Sequence, residues 1–145
     1  MENIKLLISY ANKHNIILSI NDKNNDGWDS ILSACAINVN NIEILKLLMD
    51  YADEHNIILN INDKNKNEQF PLALCITNNN IEMVKLLISY ANNHDIILKI
   101  NEKNKDGLYP IVEACNKNVN NTEIVKLLTD YANQHNIILN INENK

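Results

Sequence analysis

Apolar and polar positions follow one pattern that returns about every 40 residues. The block Lys-Leu-Leu-Ile-Ser-Tyr-Ala at residues 5–11 recurs in related form at 46–52, 85–91 and 126–132. Self-similarity at this period is typical of stacked repeat arrays, in which each unit buries its apolar face on the next. We therefore expect an all-α helical array, with its function on a surface.

Two helices are predicted in each unit. Residues 81–91 place apolar side chains at helical spacing, and a second apolar stripe lies beside the first, as expected for a helix buried between two neighbours: Val84, Leu87, Ile88 and Ala91, then Met83, Leu86 and Tyr90. A shorter first helix is predicted to begin near Ser30, Pro71 and Pro110, because proline suits the first helical position.

The second helix of each unit ends at an asparagine or aspartate that can adopt a left-handed conformation: Asn15, Asn56, Asp95 and Asn136. A short β-prone run follows, as at residues 16–20. Turn-forming residues at 21–27, 62–68 and 101–107 then predict exposed fingers.

The units differ in length, because the repeated lysines are 41, 39 and 41 residues apart. The outer two units each carry two extra residues, Asn38 with Val39 and Asn118 with Val119. A two-residue slip inside a helix would rotate every later side chain by roughly 200°. We therefore place the insertions in the loops between helices.

Composition and charge narrow the function classes. With 145 residues, 46% of them hydrophobic, the chain is long enough for one domain. The net charge of −5, with no arginine, argues against nucleic-acid or anionic-membrane partners. No apolar run approaches the roughly 18 residues that span a bilayer, and no secretory signal pattern opens the chain. We expect a soluble cytoplasmic protein in a reducing compartment.

No catalytic, metal or cofactor site is expected. Cys35, Cys75 and Cys115 recur every 40 residues and are interpreted as small core residues, too far apart across repeats of about 10 Å for a disulfide. A histidine follows each repeated block, and we expect it to cap a helix C-terminus rather than to bind zinc. Cysteine and histidine recur together in every unit, which favours packing over nucleophilic catalysis.

These residues carry a family resemblance. Asp106-Gly107-Leu108-Tyr109-Pro110-Ile111, then Ala114-Cys115, then residues 123–128 (Glu-Ile-Val-Lys-Leu-Leu), resemble the ankyrin repeat. The resemblance implies a half repeat at 1–20 and repeats at 21–61, 62–100 and 101–145. Threonine and histidine of the family's Thr-Pro-Leu-His signature are absent here. A HEAT-like array also fits the period, but an Asp-Gly finger followed by Pro-Ile argues against it.

The resemblance implies a non-catalytic protein–protein interaction module. A protein partner would bind a concave surface of finger loops and first helices, at Lys23, Asn25, Asp26, Trp28, Ile37, Lys64, Lys66, Asn67, Gln69, Asn78, Lys103, Lys105, Asp106, Leu108 and Lys117. Trp28 is either an interface anchor or folded onto the neighbouring finger. The lysines favour an acidic partner only weakly, because carboxylates lie between them. The alternative function is a structural spacer without a specific ligand.

The chain opens in a second helix whose Ile4, Leu7, Ile8 and Ala11 are as apolar as their interior counterparts. We expect an under-covered N-terminal face. The chain would then be an excerpt of a longer array, or its ends would self-associate weakly.

Overall fold

A computed structural model describes residues 2–37, 42–116 and 121–142, and within these ranges every regular element is an α-helix. The first helices of the units are α2 (Ser30–Ala36), α4 (Pro71–Thr77) and α6 (Pro110–Cys115). The second helices are α1 (Glu2–Lys13), α3 (Glu43–Glu54), α5 (Ile81–Asn93) and α7 (Thr122–Gln134). This all-α array of helix pairs confirms the predicted fold class. The predicted insertions at Asn38, Val39, Asn118 and Val119 lie outside the described residues.

The second helices are buried along the predicted stripes, with one difference. In α5, Met83, Val84, Leu87, Tyr90 and Ala91 are buried, whereas Leu86 and Ile88 are only partly buried against the core. The predicted burial of two stripes is therefore correct for most of their residues, but Leu86 and Ile88 are less buried than predicted. A helix between two neighbours still exposes the face that points away from the row of first helices.

The first helices begin where the sequence predicted. Asp29 caps α2 by accepting a hydrogen bond from the Leu32 N–H to its Oδ1 at 3.0 Å, which satisfies one of the free N–H groups of the first turn. Pro71 and Pro110 open α4 and α6. The three first helices form one row, because α2 packs on α4 and α4 packs on α6. Residues 71–76 of the central helix are all buried.

The turn after each second helix is also confirmed. Asn15, Asn56, Asp95 and Asn136 have φ between 55° and 57°, in the left-handed region that asparagine and aspartate tolerate. The following β-prone runs form no strand in the part of the chain that the structure describes. A tyrosine of the next unit holds the first three runs instead: Tyr51, Tyr90 and Tyr131 accept hydrogen bonds through their hydroxyls from the backbone N–H groups of Leu18, Leu59 and Leu98.

Histidines at the ends of the second helices reach back to the preceding unit. Within the described residues His55, His94 and His135 are the C-cap residues of their helices, as predicted. Nε2 of His55 lies 3.1 Å from Asn12 Oδ1, and Nε2 of His94 lies 2.9 Å from Asp53 Oδ1. Each ring also stacks on the tyrosine of its own helix, with ring centroids 4.1 to 4.3 Å apart. These histidines therefore join neighbouring units.

The cysteine predictions need two corrections. Cys35 and Cys75 are buried core residues, but Cys115 is exposed. By position in their helices, Cys35 and Cys115 match Ile76, a residue on the side of the helix that faces the next unit. No described residue continues the row after α6, so Cys115 lacks that cover.

The expected separation of the thiols is also wrong for one pair. Cys75 occupies the position of Ala34 and Ala114, one residue earlier in the helix than Cys35 does in its own. The two thiols therefore meet between α2 and α4. The pKa of Cys35 is raised well above its usual value. The larger cause is its hydrogen bond to Cys75, and the second cause is burial of the thiol. Both thiols are free.

Candidate protein-binding surface

The fingers are three copies of one turn, which we number along the chain as residues 21–28, 62–69 and 101–108. An asparagine organises each of them. In the first finger, Oδ1 of Asn24 accepts hydrogen bonds from the backbone N–H groups of Asp26 and Trp28, both at 3.0 Å. Asn65 and Asn104 do the same in the second and third fingers. A side chain that satisfies two backbone donors fixes the turn locally, so each finger projects in the same way.

A left-handed residue completes each finger. Gly27 and Gly107 have φ of 83° and 78°, and Glu68 takes the equivalent place with φ of 62°. Glycine adopts this conformation freely, whereas a side chain there costs about 1 kcal/mol or more. The second finger therefore carries local backbone strain that the other two avoid.

The first and second fingers touch through their backbones. The Lys66 N–H donates a hydrogen bond to the Asp26 carbonyl oxygen at 3.0 Å. A Cβ on Gly27 would lie 3.0 Å from the Asn65 Cα, so the first finger fits against the second only because residue 27 has no side chain. The first two fingers form one continuous surface.

Two lysines that the sequence assigned to partner binding also form ion pairs between fingers. Nζ of Lys23 lies 2.9 Å from Asp63 Oδ2, and Nζ of Lys64 lies 3.2 Å from Glu102 Oε2 and 3.0 Å from Glu68 Oε2. Burial lowers the pKa of Lys64, but its hydrogen bonds to the two glutamates outweigh burial and raise it. Lys64 Nζ also lies 5.7 Å from the centre of the Phe70 ring. These charges are already matched by carboxylates of the same chain.

The remaining candidate residues divide by exposure. The exposed members are Lys23, Asn25, Asp26, Ile37, Lys66, Asn67, Lys105 and Asp106. The half-buried members are Trp28, Lys64, Gln69, Asn78, Lys103 and Leu108. Lys117 lies outside the described residues. Most of the exposed members are at the finger tips, so the tips are the part of the predicted site that solvent reaches.

Several half-buried candidates have structural partners. Asn78 donates from Nδ2 to the Cys35 carbonyl oxygen at 3.2 Å, and Gln69 accepts from Asn65 Nδ2 at 3.0 Å. Lys103 lies over the Tyr109 ring, 5.3 Å from its centre. These side chains hold fingers and first helices in place, and the surface around them remains polar.

Trp28 lies at the N-terminal end of the surface. Its side chain is half-buried and lines a groove of about 560 Å³ between α1, the first finger, α2 and α3, which we call the N-terminal groove. Trp28 also packs against the edge of the hydrophobic core. The ring therefore lies between the two positions considered from the sequence: it is neither fully exposed nor hidden under the neighbouring finger.

Sequence reasoning missed the residues that build this surface. Asn24, Asn65 and Asn104 organise the fingers, and the tyrosine hydroxyls hold the runs before them. Their recurrence at spacings of 41 and 39 residues was the available signal. Asparagine supplies about a fifth of the chain, so the recurrence of these three did not stand out.

Within residues 2–37, 42–116 and 121–142, no group of three or more histidine, cysteine, aspartate or glutamate side chains is placed to hold a metal ion. None of the described helices is long and apolar enough to cross a membrane.

Comparison with known families agrees with this architecture. The family model described as ankyrin repeats, in three copies, matches residues 1–99. The chain belongs to the ankyrin repeat family. Ankyrin repeats are generally protein–protein interaction modules and typically non-catalytic. No curated protein matches the chain. The repeat boundaries at residues 21, 62 and 101 stay a prediction.

Proposed function

We propose that this ankyrin array is a non-catalytic interaction module that binds a protein partner through its fingers and first helices. One observation carries the proposal. The Lys66 N–H donates a hydrogen bond to the Asp26 carbonyl between the first two fingers, the Lys64–Glu102 ion pair joins the second finger to the third, and a continuous row of first helices follows them. Rigid turns on a repeated scaffold present side chains at fixed spacing, as recognition of a folded partner needs.

The chemistry of the surface suggests what the partner offers. Asp26, Lys66, Lys105 and Asp106 are exposed at the tips, and Lys66 and Lys105 form no ion pair among the described residues. Both signs of charge alternate along the surface, which gives specificity for a partner with complementary alternation rather than for a uniformly acidic one. Lys23 and Lys64 would then act indirectly, by fixing the positions of the fingers.

A matched pair of variants tests this surface. Lys66→Glu with Lys105→Glu reverses two finger charges. Lys13→Glu with Lys126→Glu reverses two exposed charges on the second helices α1 and α7, away from the fingers, and changes the net charge equally. Each variant is used to capture proteins from a lysate of the source organism, after circular dichroism has confirmed its fold. We expect the finger variant to lose a captured protein that the control variant retains.

The spacer alternative gives a different result in the same experiment. A spacer captures nothing that depends on finger charges, so equal capture by both variants would contradict the proposed surface. We further propose that the protein is cytoplasmic and uses neither nucleic acid nor membrane as a partner, in line with its net charge of −5.

A further inference from the structure

We propose that a notch between the second and third fingers receives a short branched aliphatic side chain from a linear segment of the protein partner. This inference rests on the proposed function, since it assigns one contact within the same finger surface. The notch lies between the second finger, α4 and the tip of the third finger, and we call it the finger notch. Buried Ala73 and Leu74 form its floor, and exposed Thr77, Lys105 and Asp106 form its rim.

The two junctions between fingers are built differently. The Lys66 N–H donates a hydrogen bond to the Asp26 carbonyl oxygen, which joins the first finger to the second. The equivalent bond at the next junction would run from the Lys105 N–H to the Asn67 carbonyl oxygen. These two described residues do not form it. The backbones of the second and third fingers are therefore not joined as those of the first two are.

The difference arises from the residue at the left-handed position of each finger. A Cβ on Gly27 would lie 3.0 Å from the Asn65 Cα, so the first junction closes only around a residue without a side chain. Glu68 holds that place in the second finger with φ of 62°, and its Cβ prevents an equally close approach to Asn104, the counterpart of Asn65. A side chain in this conformation is strained, and such strain is found preferentially at functional sites. Glu68 therefore keeps the finger notch open.

The size and lining of the finger notch define the side chain that fits. Its volume of about 30 Å³ has room for roughly two or three non-hydrogen atoms, because a single water needs about 10–15 Å³. The methyl groups of a valine, isoleucine or leucine would fill this space and leave water on contact with Ala73 and Leu74. An aromatic ring is too large for it.

Free charges at the rim define the residues beside that side chain. Lys105 and Asp106 are exposed and form no ion pair within the described ranges. Burial, and then the charge of Asp106, raise the pKa of the Glu113 carboxyl, so a partner cation at Asp106 would also relieve this repulsion. A partner carboxylate would complement Lys105. The occupant is therefore a segment in which the aliphatic residue lies between an acidic and a basic one.

Two substitutions of Glu68 separate its Cβ from its charge. Glu68→Gly and Glu68→Asn both remove the carboxylate that pairs with Lys64, and both relieve strain, since glycine and asparagine tolerate positive φ. Only Glu68→Gly removes the Cβ. We expect Glu68→Gly to let the second and third fingers close, which slows hydrogen exchange of the Lys105 amide. Exchange in Glu68→Asn should match that of the parent chain.

A phage-displayed library of random linear peptides, selected on the full chain, provides the probe. We expect the enriched peptides to share a valine, isoleucine or leucine between an acidic and a basic residue. They should bind Glu68→Gly about tenfold more weakly than the parent chain, in line with the burial of a short aliphatic side chain. Glu68→Asn should bind them as the parent does. Thermal unfolding should show Glu68→Gly to be more stable than the parent, so its weaker binding would not reflect a loss of structure.

Two exposed residues of first helices supply a blocking variant and its control. Thr77 of α4 lines the finger notch, whereas Ser33 of α2 does not. We expect Thr77→Phe to fill the notch and to weaken peptide binding about as much as Glu68→Gly. Ser33→Phe adds the same ring one unit away and should leave binding unchanged. Circular dichroism would confirm that both variants are folded.

Several outcomes would overturn the proposal. Equal exchange of the Lys105 amide in the parent and both Glu68 variants would show that the Cβ does not hold the fingers apart. No enriched peptide, or enriched peptides without a shared aliphatic residue, would contradict the proposed occupant. Equal peptide binding by the parent and Glu68→Gly would exclude the finger notch as the site.

The charge-reversed chain, Lys66→Glu with Lys105→Glu, separates this proposal from the proposed function. If the peptides lose binding to that chain but bind Glu68→Gly as well as they bind the parent, the finger surface stands and the finger notch does not. If they bind both variants as well as the parent, the proposed finger surface is contradicted too.

Discussion

Residues 5–11 and 85–91 have the same sequence, Lys-Leu-Leu-Ile-Ser-Tyr-Ala, yet they have different surroundings. Leu87 is fully buried and Tyr90 is 3% exposed, whereas Leu7 is 54% exposed and Tyr10 is 57% exposed. Both copies are α-helical. Local sequence therefore determines the helix, and the neighbouring units determine which of its side chains are buried. The predicted under-covering of the N-terminal face is confirmed by these exposures.

The largest expected difference between the two copies is at the leucines. We expect Leu87→Ala to lower the free energy of unfolding by about 2–5 kcal/mol, because it leaves a cavity in a closed core. Leu7→Ala should cost less than about 1 kcal/mol, because that side chain is already half in water. Urea unfolding of both variants would measure the two values. Equal losses would show that the N-terminal groove is closed in solution.

Tyrosine hydroxyls should give the next largest contrast. The Tyr90 hydroxyl accepts a hydrogen bond from the buried Leu59 N–H at 3.0 Å, so Tyr90→Phe leaves that donor unpaired at a cost of about 1–3 kcal/mol. Tyr10→Phe should change stability by less than about 0.5 kcal/mol. Amide hydrogen exchange at Leu59 provides a local readout. Unchanged protection in Tyr90→Phe would show that the hydroxyl does not hold the extended run.

The fingers permit the same comparison between identical residues. Gly27→Ala and Gly107→Ala both place a side chain at positive φ, which costs about 1 kcal/mol. Only at Gly27 does the new Cβ also meet backbone atoms, at 3.0 Å from Asn65 Cα. We expect Gly27→Ala to be the more destabilising by about 1 kcal/mol or more. Thermal unfolding of both variants would decide, and a larger loss for Gly107→Ala would mean that the first two fingers do not touch.

The smallest effect concerns Asp29 and depends on pH. Its pKa is raised in the folded state by burial, so the folded protein binds the proton more tightly than the unfolded chain. The carboxylate then costs stability above the folded pKa, and the cost disappears as the pH falls below the unfolded value. Asp29→Asn keeps a capping oxygen for Leu32 N–H.

At neutral pH we expect Asp29→Asn to be more stable than the parent by about 1 kcal/mol. That advantage should shrink as the pH falls through the raised pKa towards 3.8, the usual pKa of an aspartate carboxyl. Denaturant titrations at several pH values would measure it. An advantage that does not change with pH would show that ionisation of the buried Asp29 carboxyl is not its cause.

Sequence reasoning correctly predicted the features that depend on residues of a single repeat unit. The helical spacing of α5, the proline at the start of α4 and the left-handed Asn56 depend on a few adjacent residues. It did not predict the contacts between side chains of two neighbouring units. The Lys23–Asp63 ion pair and the contact between Cys35 and Cys75 depend on how one repeat is offset from the next.

The candidate site was predicted only in part from the sequence. Residues of the finger tips, such as Asp26 and Lys105, are exposed as the turn pattern implied. Lys64 has an equivalent place in the turn pattern, yet its side chain is half-buried and forms ion pairs with Glu68 and Glu102. The N-terminal groove had only an indirect signal, the apolar residues of α1, because its other walls come from residues 18–51.

Two kinds of hydrogen bond between units recur at each junction of the described residues. A tyrosine hydroxyl receives a leucine N–H, and an asparagine amide donates to an isoleucine carbonyl, as Asn21 does to Ile58 and Asn62 does to Ile97. A duplicated unit inserted between two others would find both kinds of partner already in place. Duplication or loss of whole units in the gene should therefore change the length of this array without a compensating mutation elsewhere, whereas insertion of part of a unit would leave one junction without its bonds.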